Sequence, residues 1–245
     1  MKISRNTTIA ATILAAVSIL SYSYLHRFQY SESNTITVKG LGATDFKSDL
    51  IVWEGRFTTI NKTLYEAYSQ LSSNREIIKE FLKRNGISEK ETIFGAVSTS
   101  ERTKNIYNSE GNIIGEEFIG YRLRQSVRIE SRDLEKVELV SRAITEVLKS
   151  GIEFYSESPS YFYTKLQDVK LDLISKATDD AKTRANIIAK NGGASIGDLK
   201  SAQMGVFQIV GQNSNEEYSW GGSFNTTSKY KTATITMDLT YELEN

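Results

Sequence analysis

Apolar residues recur along this chain with two alternating periods, and the order in which those periods follow one another predicts its elements. Asn34 to Lys39 alternates polar and apolar, and the spacing predicts a strand that Gly40-Leu41-Gly42 ends in a flexible turn. Asp49 to Ile60 reads as a second strand, with Ile51, Trp53 and Phe57 on one face and Glu54 and Arg56 on the other. From Asn61 the period lengthens. Leu64, Tyr68, Leu71, Ile78, Phe81 and Leu82 predict an amphipathic helix closed by Asn85-Gly86. Glu91 to Thr103 and Glu117 to Glu130 then form a predicted hairpin about the polar loop 108–112.

The second arm of that hairpin alternates most cleanly. Tyr121, Leu123, Val127 and Ile129 point one way, and Arg122, Arg124, Ser126, Arg128 and Glu130 the other, so one face is buried and one is wet. Ser131 is placed to cap a helix carried by Leu134, Val137, Val140, Ile144, Val147 and Leu148 and stopped at Ser150-Gly151. Ile152 to Thr164 is extended, and Pro159 within it marks an edge or a bend. Strand, helix, two strands, helix, strand is the order of a ferredoxin-like βαββαβ unit. A long helix follows from about Lys165 to Asn191, with Leu171, Ile174, Ala177, Ala181, Ala185, Ile188 and Ala189 as its apolar stripe. Two further strands, about Leu199 to Val210 and Thr232 to Leu243, complete the chain. The expected fold is α+β, with antiparallel or mixed sheets backed by helices. Between the last strands, 211–230 is rich in Gly, Ser, Asn and Thr and carries Trp220, which predicts a long flexible loop.

The first 27 residues carry a different signal. Lys2 and Arg5 precede an uncharged run, 6–25, and the next basic residues are His26 and Arg27. Basic residues ahead of an apolar segment stay on the cytoplasmic side, so the remainder, 28–245, is expected outside the inner membrane. About twenty residues just span a hydrocarbon core of roughly 30 Å, which favours a retained anchor over a cleaved signal peptide. No Ala-x-Ala cleavage pattern follows.

Composition narrows the chemistry of the exported part. Three of the 30 basic residues precede Phe28 and all 30 acidic residues follow it, which leaves a formal charge of −3 and argues against a nucleic-acid partner. The chain has no cysteine, and its single histidine is His26. Disulfides, thiolate chemistry, histidine triads and histidine-ligated zinc are therefore excluded beyond Arg27. Catalysis there would rest on carboxylates, Lys, Tyr or Ser-Lys pairs. No residue stands out as catalytic, as a metal ligand or as a cofactor contact. Asp168, Asp172, Asp179 and Asp180 alternate with Lys170, Lys176, Lys182 and Arg184, the pattern of a salt-laced helix face.

Two groups suit contact with a partner. Arg122, Arg124 and Arg128 line one strand face, which reads first as a solvated sheet face and otherwise as a match for an acidic partner or a small anion. Phe154, Tyr155, Tyr161, Phe162 and Tyr163, around Pro159, fit either core packing or an assembly edge, and Trp220 stands in the long loop.

Several segments together resemble the SIMPL-domain family of bacterial exported proteins. They are Ile36-Thr-Val-Lys-Gly-Leu-Gly42, Gly86-Ile87, Gly120-Tyr121, Asp133-Leu134, Gly151-Ile152, the helix Ala177-Thr-Asp-Asp-Ala181-Lys-Thr-Arg184-Ala185-Asn-Ile-Ile-Ala189-Lys-Asn-Gly192, and Ile196-Gly197-Asp-Leu199. The resemblance covers about Thr35 to Leu243. It implies an α+β domain in the periplasm or envelope, ring-like oligomers in some members, and links in some to oxidative-stress defence or to surface immunogens. It brings no active site, because the matched positions are glycines, alanines and helix-face residues. The expectation is thus a non-enzymatic, membrane-tethered homo-oligomer without a cofactor. The alternative is a periplasmic ligand-binding or hydrolytic domain built on carboxylates and the arginine stripe.

Overall fold

A computed structural model describes residues 14–23 and 34–244. The segment 14–23 is helical, and among the described residues no helix is long and apolar enough to cross a membrane. Half of the expected anchor, 6–13 and 24–25, lies outside the described residues. The chain divides into two compact units, one formed by Ala43–Leu173 with Val206–Thr234, the other by the remaining described residues.

Strand β1 (Thr35–Lys47) leads through a tight turn into β2 (Leu50–Asn61). Helix α1 (Leu64–Arg84) follows, then a short 3₁₀ turn, Glu89–Glu91, and the strands β3 (Thr92–Phe94), β4 (Ser98–Tyr107) and β5 (Ile113–Ser131). Helix α2 (Leu134–Ala143) continues as a 3₁₀ turn to Ser150 and leads into β6 (Glu153–Ser156) and β7 (Ser160–Phe162). β2 lies between β5 and the broken edge strand β6/β7, while β3 and β4 both pair with the far side of β5. That is the ferredoxin-like order expected from the periodicity. Ile51, Trp53, Phe57, Leu123, Val127 and Ile129 are buried from the sheet, and Leu71, Ile78, Val137 and Ile144 are buried from the helices. One layer of helices thus covers one sheet face.

Local chemistry moves several boundaries. Thr63, two residues after the expected start at Asn61, caps α1 by accepting from the Glu66 amide at 3.2 Å. Leu64 and Tyr68 are exposed, and Ala67 and Asn74 take the buried stripe with Leu71, Ile78, Phe81 and Leu82. Asp133, rather than Ser131, caps α2, its carboxylate accepting from the Lys136 amide at 3.1 Å. Ser131 is occupied elsewhere, since its hydroxyl donates to Glu91. Burial pushes the Glu91 carboxyl up, but hydrogen bonds from Ser131 and Ser88 and the nearby Lys136 outweigh it and hold the pKa at about 2. Leu148 is exposed beyond α2, and Gly151 closes the turn in the left-handed conformation at φ 78°.

In the other unit, the turn expected at Gly40-Leu41-Gly42 is absent because β1 runs straight through it. Gly40 is a contact residue. A Cβ there would lie 2.1 Å from the Ala177 carbonyl oxygen and 2.7 Å from the Ala181 methyl group, so only glycine admits helix α3 (Leu166–Asn191) at this distance. Asp180 completes the contact by accepting from the Leu41 amide at 2.8 Å, and Arg184 holds its carboxylate at 3.0 Å. The buried positions of α3 are Leu173, Ala177, Ala181, Ala185 and Ala189, strictly four apart, whereas Leu171 and Ile188 are exposed. A helix lying this close presents one narrow row of methyl groups, not a broad stripe.

The last strands are β8 (Ser195–Met204), β9 (Gln208–Gly211), β10 (Ser223–Phe224) and β11 (Tyr230–Glu244), where a single strand was expected from Leu199 to Val210. Gly205-Val206-Phe207 divides it. β11 pairs antiparallel with β8 and with β9, and Ala233, Ile235, Met237, Leu239 and Tyr241 are buried at the predicted period of two. Segment 211–230 carries an internal bonding pattern. Gln208 donates its amide to the Ser219 carbonyl at 2.7 Å, and Asn225 accepts from the Lys231 ammonium at 3.1 Å while donating to Glu216. Lys231 is 1% exposed, and its burial pushes its pKa down to about 8.

Two stability experiments probe these features. Gly40→Ala is expected to lower the unfolding free energy by about 1–3 kcal/mol in urea denaturation, since the added methyl group must displace backbone. Gly221→Ala, with open space around it, is expected to stay within about 0.5 kcal/mol of the wild type. For Lys231, the unfolded chain, near 10.5, holds more protons than the native state between pH 8 and 10.5. Stability therefore rises with pH through that window, and the full cost of burying the cation is present below pH 8. Between pH 7 and 9.5 the wild type is expected to gain about 2 kcal/mol relative to Lys231→Met in chemical denaturation. Parallel profiles for the two proteins would contradict this.

Candidate functional site

Two surfaces of the unit built on β2 and β5 stand apart, and the first arises because β5 is longer than its partner. β2 pairs with β5 from Ile51 opposite Ser131 to Asn61 opposite Tyr121 and then ends. Gly120, at φ 146°, sits at that point, where a Cβ would lie 2.5 Å from the Asn61 carbonyl oxygen. Beyond it β4 and β5 continue alone, with register shifts between Arg102 and Thr103 and between Ile106 and Tyr107. A two-stranded arm results.

The arm is apolar for a ribbon that pairs with no further strand among the described residues. Ile106, Tyr107, Ile113, Ile114, Phe118 and Ile119 are all exposed, Ile114 at 64%. Neighbouring residues of a strand point to opposite faces, so Ile113-Ile114 and Phe118-Ile119 place an apolar side chain on each side of the ribbon. The ring of Phe118 meets that of Tyr121 edge-on at 5.1 Å. The doubled apolar residues, which interrupt alternation, were the available sequence signal for this arm.

The second surface is the wet face of the same sheet. Thr58 of β2 lies opposite Arg124 of β5 on one side and Glu153 of β6 on the other. Arg56, two residues before it, lies opposite Tyr155, and Arg122 lies opposite Ile60. Together Arg56, Thr58, Arg122, Arg124, Glu153 and Tyr155 enclose a cleft of about 190 Å³. Thr58 is its floor, 5% exposed. The Tyr155 hydroxyl donates to Glu153 and holds that carboxyl below its ordinary range. The Thr58 hydroxyl stands close enough to lower it further, yet completes no hydrogen bond there. Arg56 pairs with Glu157 outside the cleft.

The sequence-derived residues separate accordingly. Arg122 and Arg124 share the cleft with Tyr155, while Arg128 is engaged by Glu54 at 3.3 Å and Glu130 at 3.5 Å. Tyr161 packs against the core, and its hydroxyl donates to Glu138 at 3.0 Å. Phe162 pairs with Leu50, and the Tyr163 ring lies 4.8 Å from that of Phe46. Trp220 is fully exposed in the 211–230 segment. Arg56, Thr58 and Glu153 were not singled out from sequence. Arg56 was legible as a wet-face residue, but its convergence with Arg124 depends on register.

Elsewhere in this unit charges are arranged for structure. Lys229 bridges Glu135 at 3.1 Å and Glu138 at 3.0 Å, and Lys47 reaches Glu135 at 2.9 Å. Those two lysines hold the Glu135 pKa at about 2. Among the described residues no group of three or more His, Asp or Glu side chains is placed to hold a metal ion.

A search of curated proteins returns no match to the chain. The family model described as SIMPL, protein of unknown function (DUF541), matches residues 36–241, from the first strand of one unit to the last buried position of β11. The chain belongs to the SIMPL family.

Proposed function

We propose that this chain is a non-enzymatic envelope protein that works outside the inner membrane as a homo-oligomer, tethered through residues 6–25, with a part in stress defence. The carrying observation is the β4–β5 arm. A two-stranded ribbon standing free of a sheet is at best marginally stable in water, and this one exposes apolar side chains on both faces. A second copy of the chain is the occupant that covers both sides. It can add to the free edge of β4 and bury the ribbon's isoleucines at once. Residues 103–119 carry Lys104 against Glu110, Glu116 and Glu117, and that net negative charge disfavours insertion among anionic lipid headgroups.

The export signal supports placement outside the inner membrane, and the lack of histidine and cysteine beyond Arg27 supports a role in packing. The hydrolytic alternative is weaker. Glu153, the carboxylate of the arginine cleft, is held below its ordinary range and is a poor proton acceptor.

Light scattering after size exclusion is expected to give a defined oligomer for residues 28–245 at tens of micromolar. Ile114→Glu with Phe118→Glu should dissociate it while leaving the far-ultraviolet circular dichroism unchanged. A wild type that is monomeric at that concentration would reject the proposal, as would an oligomer that survives both substitutions.

A further inference from the structure

The cleft above Thr58 has a composition that assembly through the arm does not use, and we infer that it binds a small oxyanion of the phosphate or sulfate class. Three guanidinium groups converge on it from two adjacent strands, and the rigid pleat sets their spacing. Arg56 already has Glu157. Arg122 and Arg124 form no ion pair among the described residues, and their field falls on Glu153 and Tyr155. Guanidinium presents its donors in a planar fork that matches a phosphoryl or sulfuryl edge, so two of them beside a hydroxyl constitute an oxyanion subsite.

The floor supplies the second observation. Thr58 is 5% exposed, and its Oγ1 is buried at the base of the cleft, close to the Glu153 carboxylate but completing no hydrogen bond with it. A buried hydroxyl left unsatisfied is destabilising, and an anion oxygen seated between the arginines would accept its hydrogen bond. A cavity of about 190 Å³ admits a tetrahedral oxyanion or the phosphoryl end of a monoester, but not a folded polypeptide segment.

Glu153 tunes the site. Its carboxylate faces the same two arginines, so it occupies part of their field when the cleft is empty and repels an incoming anion. Tyr155 holds it in place through the hydroxyl. Neutralising Glu153 should therefore strengthen anion binding, a response opposite to that of a residue with a merely structural role.

Isothermal titration of the wild type with inorganic phosphate, matched against sodium chloride of equal ionic strength, tests the inference. Saturable binding to phosphate and none to chloride is expected. Arg122→Gln with Arg124→Gln should weaken it by about tenfold or more, and Glu153→Gln should tighten it several-fold. Absence of saturable phosphate binding by the wild type would overturn the inference. So would unchanged affinity in the double arginine variant, or unchanged or weakened affinity in Glu153→Gln. Because the arm substitutions leave these residues intact, phosphate binding and oligomeric state are read independently.

Discussion

Strand β5 has two kinds of neighbour along its length, and each stretch carries one of the two candidate surfaces. From Tyr121 to Ser131 it is flanked by β2 and covered on one face by helices, so Leu123, Gln125, Val127 and Ile129 are buried while Arg122, Arg124 and Arg128 stay wet. Beyond Gly120 the flanking strand has ended, and the same backbone continues with apolar side chains in solvent. The helix-backed sheet is what makes the arm tenable. The ladder of β2 and β5 fixes the base of the ribbon, and the ribbon inherits its direction.

Charge is used differently in different places. Glu91, Glu135 and Glu138 bind helix ends and strand ends through hydroxyls and ammonium groups, and the very low pKa values of Glu91 and Glu135 reflect that engagement. Lys231 is an opposite case, a cation drawn out of water and satisfied by Asn225 and the Ser228 carbonyl. Its role is to close the 211–230 segment onto β11, and its lowered pKa is the energetic trace of that burial. The arginine cleft belongs to neither category. Its guanidinium groups are held near one another by strand register with Glu153 as their only partial counter-charge inside the cleft.

Legibility followed periodicity. The alternation in Tyr121 to Glu130 and in Ala233 to Tyr241 placed the buried faces of two long strands, and the helical spacing placed α1, α2 and α3, because burial on one face imposes those periods directly on sequence. Ends were less legible. Ser131 is an acceptable capping residue, but Thr63 and Asp133 sit where the first helical amides point, and the Ser131 hydroxyl donates to Glu91 instead. Gly40 and Gly42 have the composition of a turn. Only the approach of Ala177 and Ala181 explains why Gly40 lies in an unbroken strand. For the cleft, Arg122, Arg124 and Tyr155 were visible as polar or aromatic residues on exposed positions, while Thr58 and Glu153 carried no distinguishing signal.

The linear order of residues determined the α+β class, the ferredoxin-like succession, the membership of the SIMPL family and the absence of imidazole and thiol chemistry beyond Arg27, since each depends on local spacing or on residue type alone. Tertiary structure decided which of three arginines converge, that β5 outruns β2, and that a lysine and a threonine hydroxyl lie buried. Those outcomes depend on cross-strand register and on where a neighbouring strand stops. Register relates residues distant in the chain through hydrogen-bonded ladders, and no local period along the chain encodes it.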